Sequence, residues 1–404
     1  MTDFIDRNFD REVAFLKALV QVPSDNPPGD CTPHAERAAE LLTRLGFAVE
    51  RHPVPARLVE ANGMRSATNL IVRERFGTGK GPVIALNAHG DVVPPGEGWT
   101  VDPYGAVEKG GAIYGRGAAV SKSDFATYAF ALLALRDKPA GLSGTIELHL
   151  TYDEEAGGDI GPKWLLDENL TKPDLAISAG FSYSVVTAHN GVLHLEVTVR
   201  GRQAHAAMPE TGADALEAAT AILNAVYAER KKLSKRKSKI AGIGSPKINV
   251  GLISGGINTN VVPDKITMRI DRRLIPEENG ASVERALIAL IRRAAKRKGI
   301  SVQCRRIILA QPLKPLKGIA PLVSALQRHG KRFFKTKIGE KGVPLYTDAR
   351  HYSAAGIPTV LYGAGPRTIL DANAHAANEH IKLSDLRAAT KVMEATLRQL
   401  LATA

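Results

Sequence analysis

Apolar and polar positions follow two periods along this chain. Helical spacing at residues 13–20 and 35–46 is broken by NPPGD at 26–30. The near-continuous apolar run PVIALNAHGD at 82–91 then predicts a strand buried on both faces. A helix at 125–135, the strand TIELHLTYD at 145–153, and a further helix and strand near 161–169 and 173–179 continue the alternation of a layered α/β domain. Past residue 191 the pattern changes. LHLEVTVRG at 193–201 alternates apolar with polar residues, as a half-exposed antiparallel strand does. A helix at about 213–232, strands near 246–254 and 263–273, a helix near 281–299 and a strand at 300–307 complete a small α+β unit. Helix–strand alternation resumes from about residue 315 and closes with a helix at about 383–401. The expected organisation is a domain made of residues 1–191 and 310–404, with a second domain, 192–309, inserted into it.

Composition narrows the setting. The 404 residues are 44% hydrophobic and 24% charged, the balance of a soluble globular protein. No apolar run approaches the ~18 residues that cross a bilayer, so no membrane association is expected. The amphipathic, acidic start MTDFIDRNFDREVAFLKALV reads as a first helix rather than a cleaved signal. Cys31 and Cys304 are too few for a disulfide framework or a thiolate metal site, which points to the cytoplasm. The net charge of +13 raises the question of a polyanion partner. Residues 229–239 (ERKKLSKRKSK) hold seven basic side chains and one acidic, with no aromatic residue to stack on bases. The expectation is a solvated loop and no nucleic-acid partner.

Several positions carry candidate chemistry. His89 and Asp91 close a buried strand, and two residues apart on extended chain they face the same side. The imidazole can then ligate a metal while Asp91 fixes and polarises the ring. Asp153-Glu154-Glu155 closes another apolar strand. Adjacent carboxylates there repel unless a cation is near, and one can bind a metal while its neighbour acts as general base. His375 lies in AHAANE after the glycine-rich GAGP, and His205 lies in GRQAHAAMPETG of the inserted domain. Asn260, Arg273 and Arg350 form a polar set suited to binding a carboxylate, a use that competes with ordinary salt bridges.

Taken in order, NAHGDVVPPGEGW, YGRG, TYDEEAGG, NVVP, TDAR and the late His375 resemble the dinuclear zinc amidohydrolase family of aminoacylase, carboxypeptidase G, acetylornithine deacetylase and succinyl-diaminopimelate desuccinylase. The resemblance runs over almost the whole chain, from QVPSDNPPGD at 21–30 to the AHAANEH segment. It implies an α/β catalytic domain with a mostly parallel central sheet and an inserted α+β lid domain through which two copies dimerise. It further implies His89 as a metal ligand, Asp91 as the residue orienting it, Glu154 as general base, and Glu155 and His375 as ligands of the second metal. His205 matches the lid histidine that stabilises the tetrahedral oxyanion in a partner subunit. Asn260, Arg273 and Arg350 match contacts to a substrate carboxylate.

Two positions depart from the pattern. Where the family has a bridging aspartate in GRGxxDxK, this chain reads GRGAAVSK and places Val120; where a second metal-binding carboxylate follows a glycine, it places Phe181. Valine and phenylalanine donate nothing to a metal, and a catalytic zinc usually needs three protein ligands. The expectation is therefore one ion per chain, Zn²⁺ or else Mn²⁺ or Co²⁺, held by His89, Glu155 and His375. Asp124 stands as a possible addition, although an N-cap on the following helix is its commoner use. Three readings stay open. One is a mononuclear hydrolase of an amide bond in a carboxylate-bearing acyl- or peptidyl-amino acid. The others are an enzyme of the same fold doing metal-independent acid/base chemistry (lyase or deaminase type) and a non-catalytic binding protein.

Overall fold

The computed structural model describes residues 3–403. The chain divides into two compact units. The first comprises the chain up to Thr187, Pro315–Lys341, and the chain from Thr347 onward; the second comprises Ala188–Lys314 and Gly342–Tyr346.

The first unit is built on a sheet whose strands run, in spatial order, Val49–Pro53, Thr68–Phe76, Gly144–Thr151, Val83–His89, Leu175–Ser178, Thr359–Leu361, Ser184–His189 and Gly339–Val343. Its four central strands are parallel, and antiparallel pairs flank them. Parallel strands need covering on both faces, which is why Val83–His89 reads as an unbroken apolar run. The helix Lys122–Asp137 is buried on almost every side, packed between the sheet and the helices Phe4–Val20 and Leu383–Leu400. The strands Val49–Pro53, Thr68–Phe76, Ser184–His189 and Gly339–Val343 carry no clean alternation and are not foreseen by the sequence pattern.

The second unit is a four-stranded antiparallel sheet, in the order Lys247–Gly255, Lys265–Leu274, Gly191–Arg200 and Ser301–Ala310. The helices Ala215–Leu233 and Gly280–Ala294 pack on it around a core of Leu193, Leu195, Val197, Ile222 and Ile291. Gly191–Arg200 alternates buried and half-buried positions as its sequence predicts. The helix expected to reach residue 299 stops at Ala294. Three consecutive cations, Lys296-Arg297-Lys298, follow the C-cap Ala295, and Gly299 at φ +79° turns the chain toward the next strand.

Candidate metal centre and catalytic carboxylates

The parallel pairing of Val83–His89 with Gly144–Thr151 sets His89 opposite Thr151. The two chains therefore leave the sheet side by side, one into Gly90-Asp91 and the other into Asp153-Glu154-Glu155. Asp91 is fully buried and joins them: its Oδ1 accepts from Glu154 N (3.2 Å) and its Oδ2 from Glu155 N (3.1 Å) and Asn26 Nδ2 (3.1 Å). His89 Nδ1 lies 2.9 Å from the Asp91 carbonyl oxygen. A carbonyl only accepts, so Nδ1 carries a proton, and Nε2 is the nitrogen that offers a lone pair whenever the ring is neutral. That Nε2 faces Glu154 Oε2 at 4.0 Å.

His89, Glu154 and Glu155 each offer one ligand atom within 4.8 Å of the others. His375 joins them through Glu155, with its Nε2 3.1 Å from Glu155 Oε1. Its backbone lies at φ +63°, and Asn373 and Asn378 beside it are also left-handed, at +50° and +60°. Such conformations are uncommon outside glycine and are sustained here by anchors at the C-terminal end of the segment. Asn378 Oδ1 accepts from Thr100 N at 2.9 Å and from its hydroxyl at 3.0 Å. The buried Glu379 accepts from Ala119 N (3.0 Å), Val120 N (3.1 Å) and Arg116 Nη1 (2.6 Å).

The electrostatics of the cluster follow from carboxylates crowded out of water. Burial pushes Glu154 up to about 8, with Glu155 and Asp91 adding to it and His89 and Arg350 opposing. Burial and the nearby Glu154 likewise push Asp348 up to about 8. Asp153 is raised by burial and by Asp348 and Asp91; it turns inward, accepting from Ile160 N at 2.6 Å, and serves the loop rather than the centre. Burial alone would lower His89, but Glu154, Asp91 and Glu155 outweigh it and hold the imidazole well above its ordinary value. The hydrogen bond to Glu155 raises His375.

Arg350, on the short helix Ala349–Ala354, donates to the Gly157 carbonyl just past Glu155. Its Nε is buried and has no hydrogen-bond partner among the described residues. Asp348, two residues earlier at the N-cap of this helix, stands in the TDAR segment, where the sequence pattern gives it no role. Its Oδ2 takes Thr151 Oγ1 at 3.3 Å, and a Cβ at Gly158 (φ +73°) would stand 2.2 Å from its Oδ1. That approach depends on chain far away in sequence, so nothing near Asp348 announces it.

The remaining candidates stand apart from this cluster or belong to the second unit. Asp124 is not an N-cap: Ser121 holds that position, and Asp124 lies in the first turn of Lys122–Asp137. Its Oδ1 accepts from Ala364 N at 2.6 Å, a Cβ at Gly363 would stand 1.8 Å from it, and burial pushes it up to about 8. The distant loop is a better donor to this buried carboxyl than its own helix. Val120 is half-buried and gives only its backbone N–H. Phe181 bridges Gly365, with Lys341 Nζ 5.6 Å from its ring centroid. In the second unit His205 and Asn260 are neighbours: His205 pairs with Val261, and Ala206 N donates to Asn260 O at 3.0 Å. Both are exposed. Arg273 is held by Asp271 on its own strand, at 2.9, 3.2 and 3.0 Å.

The donor chemistry of the cluster fits a divalent metal. One imidazole and two carboxylates, with a second imidazole against Glu155, suit Zn²⁺, Mn²⁺ or Co²⁺. The side chains at Val120 and Phe181 add no donor to this set.

Known proteins resemble this chain in both sequence and fold. The sequence profile of peptidase family M20/M25/M40 matches residues 85–399. An acetylornithine deacetylase of Proteus mirabilis is 30% identical over 273 residues, 65% of this chain and 67% of that protein. A succinyl-diaminopimelate desuccinylase of Granulibacter bethesdensis is 27% identical over 399 residues, 95% of this chain and 97% of its own length. Among solved structures, an M20 family metallo-carboxypeptidase of Sulfolobus solfataricus superposes with a TM-score of 0.76 at 19% identity, covering 97% of this chain and 99% of that one. A dinuclear metal-binding M20 peptidase of Bacillus subtilis gives 0.71 at 15% identity, covering 98% of this chain and 100% of that one.

Proposed function

The chain belongs to peptidase family M20/M25/M40, and on that footing we propose that it hydrolyses an amide bond in an acyl- or peptidyl-amino acid with a single divalent ion. The observation that carries this reading is the convergence of His89, Glu154 and Glu155 within 4.8 Å above the buried Asp91. His89, Glu155 and His375 would hold the ion. When bound, it supplies Lewis acidity, polarising the amide carbonyl and making a water molecule acidic near neutral pH.

The side chains divide the remaining work. Glu154 takes the proton from the attacking water and returns it to the leaving amine nitrogen. Its carboxyl is pushed up to about 8, so it can both accept and release a proton near neutral pH. Asp91 fixes the tautomer of His89 and, through two backbone N–H groups, the turn that presents Glu154. Arg350, with a buried unpartnered Nε, is assigned to the substrate carboxylate, together with Asn260 and, if Asp271 yields it, Arg273. His205 is assigned to the developing oxyanion in a partner subunit, with 192–309 as lid and dimerisation domain. We place the protein in the cytoplasm, on its two free thiols; no helix among the described residues is long and apolar enough to cross a membrane.

Purified protein assayed on N-acyl amino acids, before and after chelation, tests the reading. Turnover should vanish with chelator, return with zinc or manganese, and require a free substrate carboxylate. Turnover indifferent to chelator would instead support metal-independent acid/base chemistry on the same fold.

A further inference from the structure

The charge of the molecule is divided with unusual sharpness. The second unit, Ala188–Lys314 with Gly342–Tyr346, contains 23 lysines and arginines against 10 aspartates and glutamates, a net +13. The rest of the chain contains 31 of each and is neutral. The inserted unit thus accounts for the whole excess, well beyond what residues 229–239 contribute.

Within that unit the cations line up. On the helix Gly280–Ala294 the exposed residues are Ser282, Arg285, Ala286, Ala289, Arg292 and Arg293. Its one acidic residue, Glu284, is buried and paired with Arg306. Lys296 and Lys298 extend the row past the helix end. At the other end, Arg236 pairs with Glu278 at 3.1 Å, and Lys239 N donates to Glu277 at 2.8 Å. These contacts fasten the basic segment 229–239, all seven of whose cations are exposed, beside the start of the same helix. The result is one basic strip, of which the 15-residue helix alone spans about 22 Å.

From this strip we infer an interaction surface for the phosphate backbone of a nucleic-acid duplex, bound without sequence preference. Its arginines offer the planar fork that grips phosphate oxygens, and counterion release rewards a row of cations laid along a row of phosphates. Between the cations the exposed side chains of the helix are serine and alanine, with nothing to insert into a bilayer. The strip also lacks aromatic platforms for single-stranded bases, and the nearby exposed Tyr227 has the Arg230 guanidinium over its ring at 4.7 Å. The inference runs against the sequence expectation of a solvated loop and no nucleic-acid partner, and it does not depend on the proposed hydrolysis.

The test is fluorescence anisotropy of the full chain with a random-sequence 20-base-pair DNA duplex, from 50 to 200 mM salt. With about five phosphates neutralised, the logarithm of affinity should fall against that of salt with a slope of about −4.5. The variant Arg285→Ala/Arg292→Ala/Arg293→Ala/Lys296→Ala should flatten that slope by about 3 to 4 and weaken binding at least tenfold at 50 mM salt. A control with Arg57, Arg65, Lys80 and Lys172 of the neutral unit replaced by alanine should bind as the parent does. Should the helix variant fail to fold, Lys231→Ala/Lys232→Ala/Lys235→Ala/Lys237→Ala reads the same strip from its other end. Equal loss in strip and control variants, absence of binding at 50 mM salt, or tighter binding to phosphatidylserine vesicles than to the duplex would each overturn the inference.

Discussion

Asp91 shows how one residue serves both halves of the centre. Its carbonyl fixes the proton on His89, and its carboxylate receives the N–H groups that shape the Glu154–Glu155 turn. That these residues lie at the ends of apolar strands was legible in sequence, because a parallel sheet gathers its functional groups there; that the Asp91 carboxylate would be spent on the Glu154–Glu155 turn was not. Asp348 was not legible, since its place depends on a glycine far off in the chain. The engagement of Arg273 had a local sign that went unread: Asp271, two residues before it, faces the same side of the strand. For Glu154 the expectation is direct. Glu154→Gln keeps shape and loses the basic oxygen, so kcat should fall ~10²–10⁴-fold while substrate binding by calorimetry is preserved. Unchanged kcat would remove Glu154 from the reaction.

At the scale of elements, the segment bearing His375 is held by a buried ion pair. Arg116 and Glu379 are both almost wholly excluded from solvent, and Glu379 also ties down the loop that carries Val120. Removing one partner strands the other, so Glu379→Ala should destabilise the protein by about 3–5 kcal/mol in urea unfolding. A loss below about 1 kcal/mol would mean that the loop has other support. A second buried carboxyl, Glu12, lies between the helices Phe4–Val20 and Leu383–Leu400, 2.5 Å from Thr390 Oγ1. Burial pushes it up to about 8. The folded state therefore holds this proton when the unfolded chain, with a pKa of about 4.3, has released it. Its contribution is intact below that value and is lost as pH rises toward 8, the direction opposite to a salt-bridged carboxylate. Urea midpoints should accordingly fall between pH 5 and pH 8, and Glu12→Gln should flatten the dependence; a variant that keeps the full slope would assign it elsewhere. The helical pattern of the first twenty residues predicted the helix around Glu12 without revealing which polar residue its packing would enclose.

The whole molecule separates a neutral unit, which carries the proposed metal site, from a basic one, a division that total charge hides. The insertion was legible because hydrophobic periodicity changes at residue 191, whereas where its cations gather depends on how two helices pack. The second unit also presents an open sheet edge, Lys247–Gly255, with Leu252 59% and Ile253 50% exposed. Apolar side chains on an unpaired edge strand suit pairing with a second copy. Leu252→Lys/Ile253→Lys should shift the proposed dimer to monomer in sedimentation velocity, and a parent that sediments as a monomer would exclude that use of the edge. The most direct test of the central claim is the metal content of the purified protein, compared with that of Val120→Asp/Phe181→Glu. A single-ion site predicts about one ion per chain in the parent, held by His89, Glu155 and His375, rising toward two when the missing carboxylates are restored. Two ions in the parent, or none after soaking in zinc or manganese, would contradict it.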